Sequence, residues 1–360
     1  MAVAPPLPVN VHEYEPLARA GLSPMAWDYL AGGSGDERTL GWNRDRLDAT
    51  RLWPRVLRDV GRVDTKLRLL GVDLPHPVLL APTGFQRLFH ADGELATARA
   101  AGASGALYTL STASTTSIED IAAVATGPLW FQLYVYRDRT LARSFIQRAE
   151  AAQYRAICLT VDAPILGSRE RDSRNKLRLP PGIRMRNFEN AAFEIQSRGQ
   201  SLQEYAFKQL DPSLTWDAIE WLRSETRLPL ILKGIIAPED GALAAERGVD
   251  GIVVSNHGGR QLDGAEATLR ALPRVVDAVA GRAEVFVDGG VRRGTDVVKA
   301  LALGARAVLV GRPCLWGLAA AGEEGVTRVL EILRQELGLA MALCGCPGVG
   351  AIDRSLIAGG

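Results

Sequence analysis

The chain has 360 residues, 47% of them hydrophobic, enough to close a large core as one big barrel or two modest domains. Its 42 basic and 41 acidic residues leave a formal charge of +1, so no global field gathers nucleic acid or an anionic membrane, and a small-molecule partner is favoured. The opening MAVAPPLPVN lacks the basic and apolar stretches of a signal peptide and no apolar run reaches the ~18 residues of a membrane span; Cys158, Cys314, Cys344 and Cys346 lack paired metal spacing, so they read as buried thiols of a cytoplasmic protein.

Residues 1–77 come first, and within them SPMAWDYLAGGSGDERTL reads as a helix with a glycine-rich exit, followed by basic and apolar turns. From residue 78 one arrangement repeats: a short apolar or β-branched run, a polar or glycine-containing turn, then a stretch with helical spacing. The eight runs are VLLAPTG (78–84), ALYTLS (106–111), WFQLYV (130–135), AICLTVD (156–162), PLILKGI (229–235), GIVVSNHG (251–258), EVFVDGG (284–290) and AVLVGR (307–312). Near-continuous apolar runs indicate strands covered on both faces, as in parallel sheets. Eight such strands alternating with helices predict an α/β fold, a (β/α)8 or TIM barrel, because eight parallel strands can close and leave no edge. We therefore expect one domain spanning 1–360, with 1–77 as a helical extension capping one mouth, 78–341 as the barrel, and 163–214 as a long polar loop after the fourth strand.

Chemistry in such barrels gathers at the C-terminal ends of the strands, and polar residues recur there: Thr83, Ser111, Gln132, Tyr134, Thr160, Asp162, Lys233, Ser255, Asn256, His257, Asp288 and Arg312. Taken singly, Thr83, Ser111 and Thr160 could merely satisfy nearby backbone groups. Gln132 within WFQLYV is harder to place, since a buried amide left unpaired costs about 1–3 kcal/mol. Lys233 within PLILKGI points to an anionic ligand, because lysine is almost never buried alone. Of the four histidines, His12, His76 and His90 are expected at the surface or in caps, whereas His257 ends a strand. An imidazole there suits a general base, with Asp162 to orient it and to raise its pKa above the ordinary ~6.5. DGGVRRG (288–294) and VGRP (310–313) follow strands seven and eight, the usual phosphate position of this fold, where glycine lets backbone N–H groups and a helix N-terminus approach the oxygens.

Together these residues, and SNHGGRQLDG (255–264) above all, resemble the FMN-dependent L-2-hydroxy acid oxidase and dehydrogenase family over nearly the whole chain. The resemblance implies FMN as cofactor, a small 2-hydroxy acid as substrate, and a homo-oligomer, tetramer or octamer. It makes His257 the base and Asp162 its partner, gives the substrate carboxylate to Arg260 and Arg169 with Tyr29 and Tyr134 beside them, and sets Lys233 against the flavin N1 edge. It puts Thr83, Gly84, Ser111, Gln132 and Thr160 around the flavin ring with Ser255 nearby, Asp288 on the ribityl chain, and Gly290, Arg292, Gly311 and Arg312 on the phosphate. Ala113 stands where glycolate oxidases carry tryptophan, which favours lactate or larger acids such as mandelate. Gly84, where many oxidases carry alanine, leaves the acceptor open between O2 and, in a dehydrogenase, a quinone or redox protein. A non-turnover flavin scaffold and an isomerase on a related barrel are the remaining readings; the first would need lost catalytic residues, and the second would not need the pairing of His257 with Arg260.

Overall fold

In the computed structural model, residues 7–188 and 207–358 are described. Eight parallel strands close into a barrel: β1 (Val78–Leu80), β2 (Tyr108–Ser111), β3 (Leu129–Leu133), β4 (Ala156–Thr160), β5 (Leu230–Ile235), β6 (Gly251–Val254), β7 (Glu284–Asp288) and β8 (Ala307–Val310). Each pairs with its sequence neighbour, and β8 returns to β1. The eight predicted runs thus supply the eight strands in order. Residues 189–206 of the expected 163–214 loop lie outside the described residues; before them the connection carries a short helix, Glu170–Arg174.

Strand periodicity explains how one barrel holds both a core and a site. Alternate side chains point inward, and the deeper inward layers are apolar: Leu79, Leu107, Trp130, Cys158, Ile231, Val253 and Phe286 form one buried cluster. Two residues further along, the inward positions of successive strands become Gln132, Thr160, Lys233, Ser255 and Asp288, all buried and all at the C-terminal end. Outward residues such as Phe131, Leu159, Leu232 and Val287 pack against the surrounding helices.

The N-terminal segment covers both ends of the barrel. An antiparallel hairpin, Leu67–Leu69 with Val72–Leu74, lays Leu69 and Leu74 on the apolar interior cluster and plugs the N-terminal end. Helix Pro24–Ala31, capped by the Ser23 hydroxyl, and helix Arg38–Ala49 lie over the other mouth. The second of these was expected as turns. Its sequence is mostly polar and only Thr39, Asn43 and Leu47 are buried, so it carries too narrow an apolar stripe to announce itself. His76 is a further correction: it is fully buried, with Nε2 hydrogen-bonded to the Ser104 carbonyl and Nδ1 to the Val78 amide. The four cysteines are free and buried, and among the described residues no helix is long and apolar enough to cross a membrane.

Candidate active site

The cleft at the C-terminal mouth has about 1060 Å³ of unfilled space, part of it open to solvent. It is lined by Tyr29, Thr83, Gly84, Ser111, Gln132, Tyr134, Thr160, Arg169, Lys233, His257, Arg260, Asp288, Gly290, Arg292, Gly311 and Arg312. Of the residues that the resemblance assigns to the site only Asp162 and Ser255 are not on its surface. Both stand immediately behind it.

The SNHGG turn answers to local geometry. His257, Gly258 and Gly259 all take positive φ, 59°, 63° and 76°, a left-handed run that aims the imidazole back over the mouth and that few side chains tolerate. At Gly259 a Cβ would lie 2.6 Å from the Leu40 nitrogen. Nδ1 of His257 lies 3.0 Å from Asp162 Oδ1 and Nε2 lies 3.4 Å from the Tyr134 hydroxyl. The carboxylate therefore fixes the tautomer with the proton on Nδ1, and leaves the Nε2 lone pair facing the cleft. Burial lowers the imidazole pKa below 6.5, helped by Lys233 and Arg169, and outweighs the upward pull of Asp162. The sequence reading anticipated the carboxylate's pull but not the dominance of burial and two nearby cations. At Asp162 burial pushes upward, but the His257 imidazole and the Lys233 ammonium hold the carboxyl below its usual range.

Below this pair a band of hydrogen-bonding groups crosses adjacent strands. Ser111 donates to Gln132 Oε1 (3.1 Å), and Gln132 Nε2 donates to Thr160 Oγ1 (3.0 Å). Lys233 donates to Ser255 Oγ (3.0 Å) and lies 3.3 Å from Asp288 Oδ2, which accepts from the Ser255 hydroxyl at 2.9 Å. Burial lowers the lysine's pKa, but Asp288 and Asp162 more than reverse this, so it is held as a cation. Ser255 is thus a brace between lysine, aspartate and the His257 amide, which also donates to it.

Four arginines surround the opening. Arg260 lies 4.9 Å over the Tyr29 ring and donates from Nη1 to the Tyr29 and Gly32 carbonyls. Arg169 donates weakly to the Arg260 carbonyl (3.3 Å). Arg292 packs over Trp316 at 4.6 Å. Arg312 donates to the carbonyls of Leu30, Gly258 and Gly32, tying the N-terminal helix to the histidine turn. Burial, with repulsion from Arg169, pulls Arg260 down to about 10; burial also pulls Arg292 to about 10 and lowers Arg312. Buried guanidiniums repelling one another are stabilised by anions.

The structure fits FMN. Asp288 Oδ1 is buried without a partner, a free acceptor for a ribityl hydroxyl. Lys233 is a cation that would suit a ring gaining negative charge on reduction, and Gly290, Gly311, Arg292 and Arg312, lining the cleft beside β7 and β8, would suit a phosphate. One expected element is already in use: the Arg292 and Arg293 amides donate to Asp296, whose carboxylate caps helix Gly294–Ala302. Sequence reasoning also missed Gln261, which accepts from Gly167 N and donates to the Asp162 and Ile165 carbonyls, and Asp263, which accepts from the Asp36 and Thr39 amides at the start of helix Arg38–Ala49. Both belong to the RQLDG half of the quoted motif, so the signal was present.

A barrel with a histidine–aspartate pair, a buried lysine and an arginine-rimmed flavin cradle defines a flavin-dependent oxidoreductase for anionic substrates. The FMN-dependent dehydrogenase family profile matches residues 18–359. The chain is 52% identical over 357 residues to the L-lactate oxidase of Nostoc sp., covering 97% of this chain and 98% of that one. It is 48% identical over 355 residues to 2-hydroxyacid oxidase 1 of Mus musculus, covering 97% and 96%. A crystal structure of mandelate oxidase with benzoyl-formic acid superposes with a TM-score of 0.88 at 46% identity, covering 96% of this chain and 97% of the other. The chain belongs to the FMN-dependent dehydrogenase family, and its cofactor is FMN.

Proposed function

We propose that the protein oxidises an L-2-hydroxy acid to the 2-keto acid and passes the electrons to O2, giving H2O2. The observation that carries this reading is that the His257–Asp162 pair and the Arg260 and Arg169 guanidiniums meet at one cleft. Arg260 and Arg169 bind the carboxylate, a planar fork meeting it at two points and fixing which face of the α-carbon is presented. Tyr29 and Tyr134 are neutral donors at the same mouth, since burial raises both phenol pKa values, that of Tyr134 to about 12. His257 Nε2 takes the proton of the α-hydroxyl, and Asp162 stabilises the imidazolium so formed. Bound FMN supplies the acceptor for the two electrons and the hydrogen leaving the α-carbon. Lys233 stabilises the negative charge that reduction brings; a unit charge about 4 Å away is worth roughly 4 kcal/mol at an effective dielectric near 20.

The substrate's side chain falls against Gly84 and Ala113. Both residues line the cleft, and the small Ala113 side chain takes up less of it than a larger residue would. This supports lactate or larger acids, including mandelate, over glycolate. The relatives' names agree with the class: lactate, 2-hydroxy acid and mandelate oxidases. The reading extends to one functional unit over residues 1–360, a homo-oligomer and a cytoplasmic location, the last supported by four free, buried thiols. The test is anaerobic mixing of the FMN-loaded protein with L- and D-2-hydroxy acids, then admission of air. L-acids should bleach the flavin, D-acids should not, and air should restore the colour with one H2O2 per keto acid. Bleaching by none of them would end this reading; glycolate as best substrate by kcat/KM would end the side-chain inference.

A further inference from the structure

Arg169 and Tyr29 belong to different parts of the chain yet meet at the same cleft, linked through Arg260, which lies over the Tyr29 ring and whose carbonyl accepts a long bond from Arg169. Among the described residues the Arg169 side chain makes only long hydrogen bonds, 3.3 Å to the Arg260 carbonyl and 3.5 Å to Gln261 Oε1. Its position is therefore set by the backbone that carries it. On one side that backbone is pinned, because the Ser168 carbonyl accepts from the Gly35 amide (2.9 Å) and the Ser34 hydroxyl (3.1 Å). On the other side it enters the short helix Glu170–Arg174, which buries no residue. An isolated helix of that length has no stability of its own in water.

What holds it is a cluster of charges outside the catalytic set. Arg171 Nη2 lies 2.5 Å from Glu37 Oε2, and its Nη1 lies 3.6 Å from Asp28 Oδ1. Asn175, just past the helix, donates to Asp28 Oδ2 at 2.6 Å. Asp28 precedes Tyr29 on helix Pro24–Ala31. Glu37 also accepts from the Gly33 amide at 2.9 Å, so one carboxylate grips both the Arg171 side chain and the turn leaving the Tyr29 helix. All three charged groups are only partly exposed, with side chains at 38%, 29% and 22% for Arg171, Asp28 and Glu37. Their attraction is less screened than that of a fully solvated pair.

We propose that Arg171, through Glu37 and Asp28, is a positioning residue that locks the Arg169 arm onto the Tyr29 helix and so completes the carboxylate-binding site. It touches no substrate. Its contribution is to substrate binding, and it leaves the proton-transfer pair of His257 and Asp162 alone. The inference rests on the 2-hydroxy acid reading above.

The test uses FMN-loaded Arg171→Gln, Arg171→Lys, Glu37→Gln and the Arg171→Gln/Glu37→Gln double variant. Glu37→Gln keeps an acceptor for the Gly33 amide. Two readouts are taken: KM and kcat with a turned-over L-2-hydroxy acid, and calorimetric Kd for benzoylformate, a keto acid that cannot be oxidised at the α-carbon. Partly exposed ion pairs are worth up to about 1 kcal/mol each. KM and Kd should accordingly rise about threefold to tenfold in Arg171→Gln and Glu37→Gln, with kcat within about twofold of wild type. Arg171→Lys should recover part of the loss. The double variant should be no worse than the poorer single one, since both remove the same contact. Wild-type KM and Kd in fully loaded Arg171→Gln and Glu37→Gln would overturn the proposal, as would losses that multiply in the double variant or fall on kcat alone. If Arg171→Gln fails to accumulate folded, Glu37→Gln and Arg171→Lys carry the decision. Failure of the wild type to turn over any hydroxy acid or to bind benzoylformate would instead count against the functional reading.

Discussion

Gly234, at a bulge in β5, controls the base from a strand away. It takes φ +115° and interrupts the β5–β6 register between Lys233 and Ile235. A Cβ built there would fall 2.6 Å from both Cβ and Cγ of Asp162, well inside the 3.4 Å where ordinary contact begins. In Gly234→Ala Asp162 must therefore shift relative to β5, its backbone nitrogen included, since that atom would lie 2.9 Å from the same Cβ, and an active-site misplacement near 1 Å costs roughly 10²-fold in rate. The 3.0 Å contact to His257 Nδ1 cannot survive that shift unchanged. The backbone conformation itself adds strain of about 1–3 kcal/mol. Gly248→Ala serves as the control: Gly248 also has positive φ, 73°, but nothing lies within 4 Å of its added Cβ. Stopped-flow reduction of the flavin under anaerobic conditions separates the two variants. Both should lose thermal stability, but only Gly234→Ala should lose reduction rate, by about 10²-fold. Reduction of Gly234→Ala at the wild-type rate would refute the claim that Asp162 is held to His257 by the space this glycine leaves.

The remaining expectations concern pH and the cofactor. Because burial places the His257 pKa below 6.5, the neutral base persists as pH falls. The acid limb of the kcat/KM profile should have its midpoint below 6.5; a midpoint above 6.5 would contradict the burial argument. Asp162→Asn removes the one upward pull on that pKa, so any residual acid limb should move to still lower pH while the rate falls about 10²-fold or more. Arg292→Leu should weaken FMN binding about 10- to 100-fold, the worth of a charge-assisted hydrogen bond, and leave riboflavin affinity unchanged; equal losses for both flavins would remove Arg292 from the phosphate.

The barrel was legible because its strands are covered on both faces. Runs such as GIVV and AVLV admit no other placement at that spacing, and the polar residue ending each run marks the mouth. The candidate site was legible for the same reason: Gln132, Lys233 and Asp288 are polar residues at inward positions, and inward positions follow from a period of two. Contacts made by residues distant in sequence were not legible. Asn43 and Asn256 hydrogen-bond to each other at 2.8 Å through both amides, and Asn43 lies on a helix whose polar sequence gave no apolar signal. Asp296 is buried and caps the helix beside Arg292, a role that nothing in the sequence pattern marked. Arg312 could be assigned to a ligand from its position, yet its tie to the Leu30, Gly32 and Gly258 carbonyls depends on where the N-terminal helix docks. The pKa of His257 was misjudged because a sequence shows a charged neighbour more readily than the depth at which a side chain lies.

The central claim is that His257 removes the hydroxyl proton as the α-carbon is oxidised. Its most direct test is His257→Asn, a residue that tolerates the left-handed backbone at this position, mixed without oxygen with the best L-2-hydroxy acid. The account predicts a yellow, FMN-loaded protein whose flavin is bleached at least about 10²-fold more slowly than in the wild type. Bleaching at the wild-type rate would contradict it.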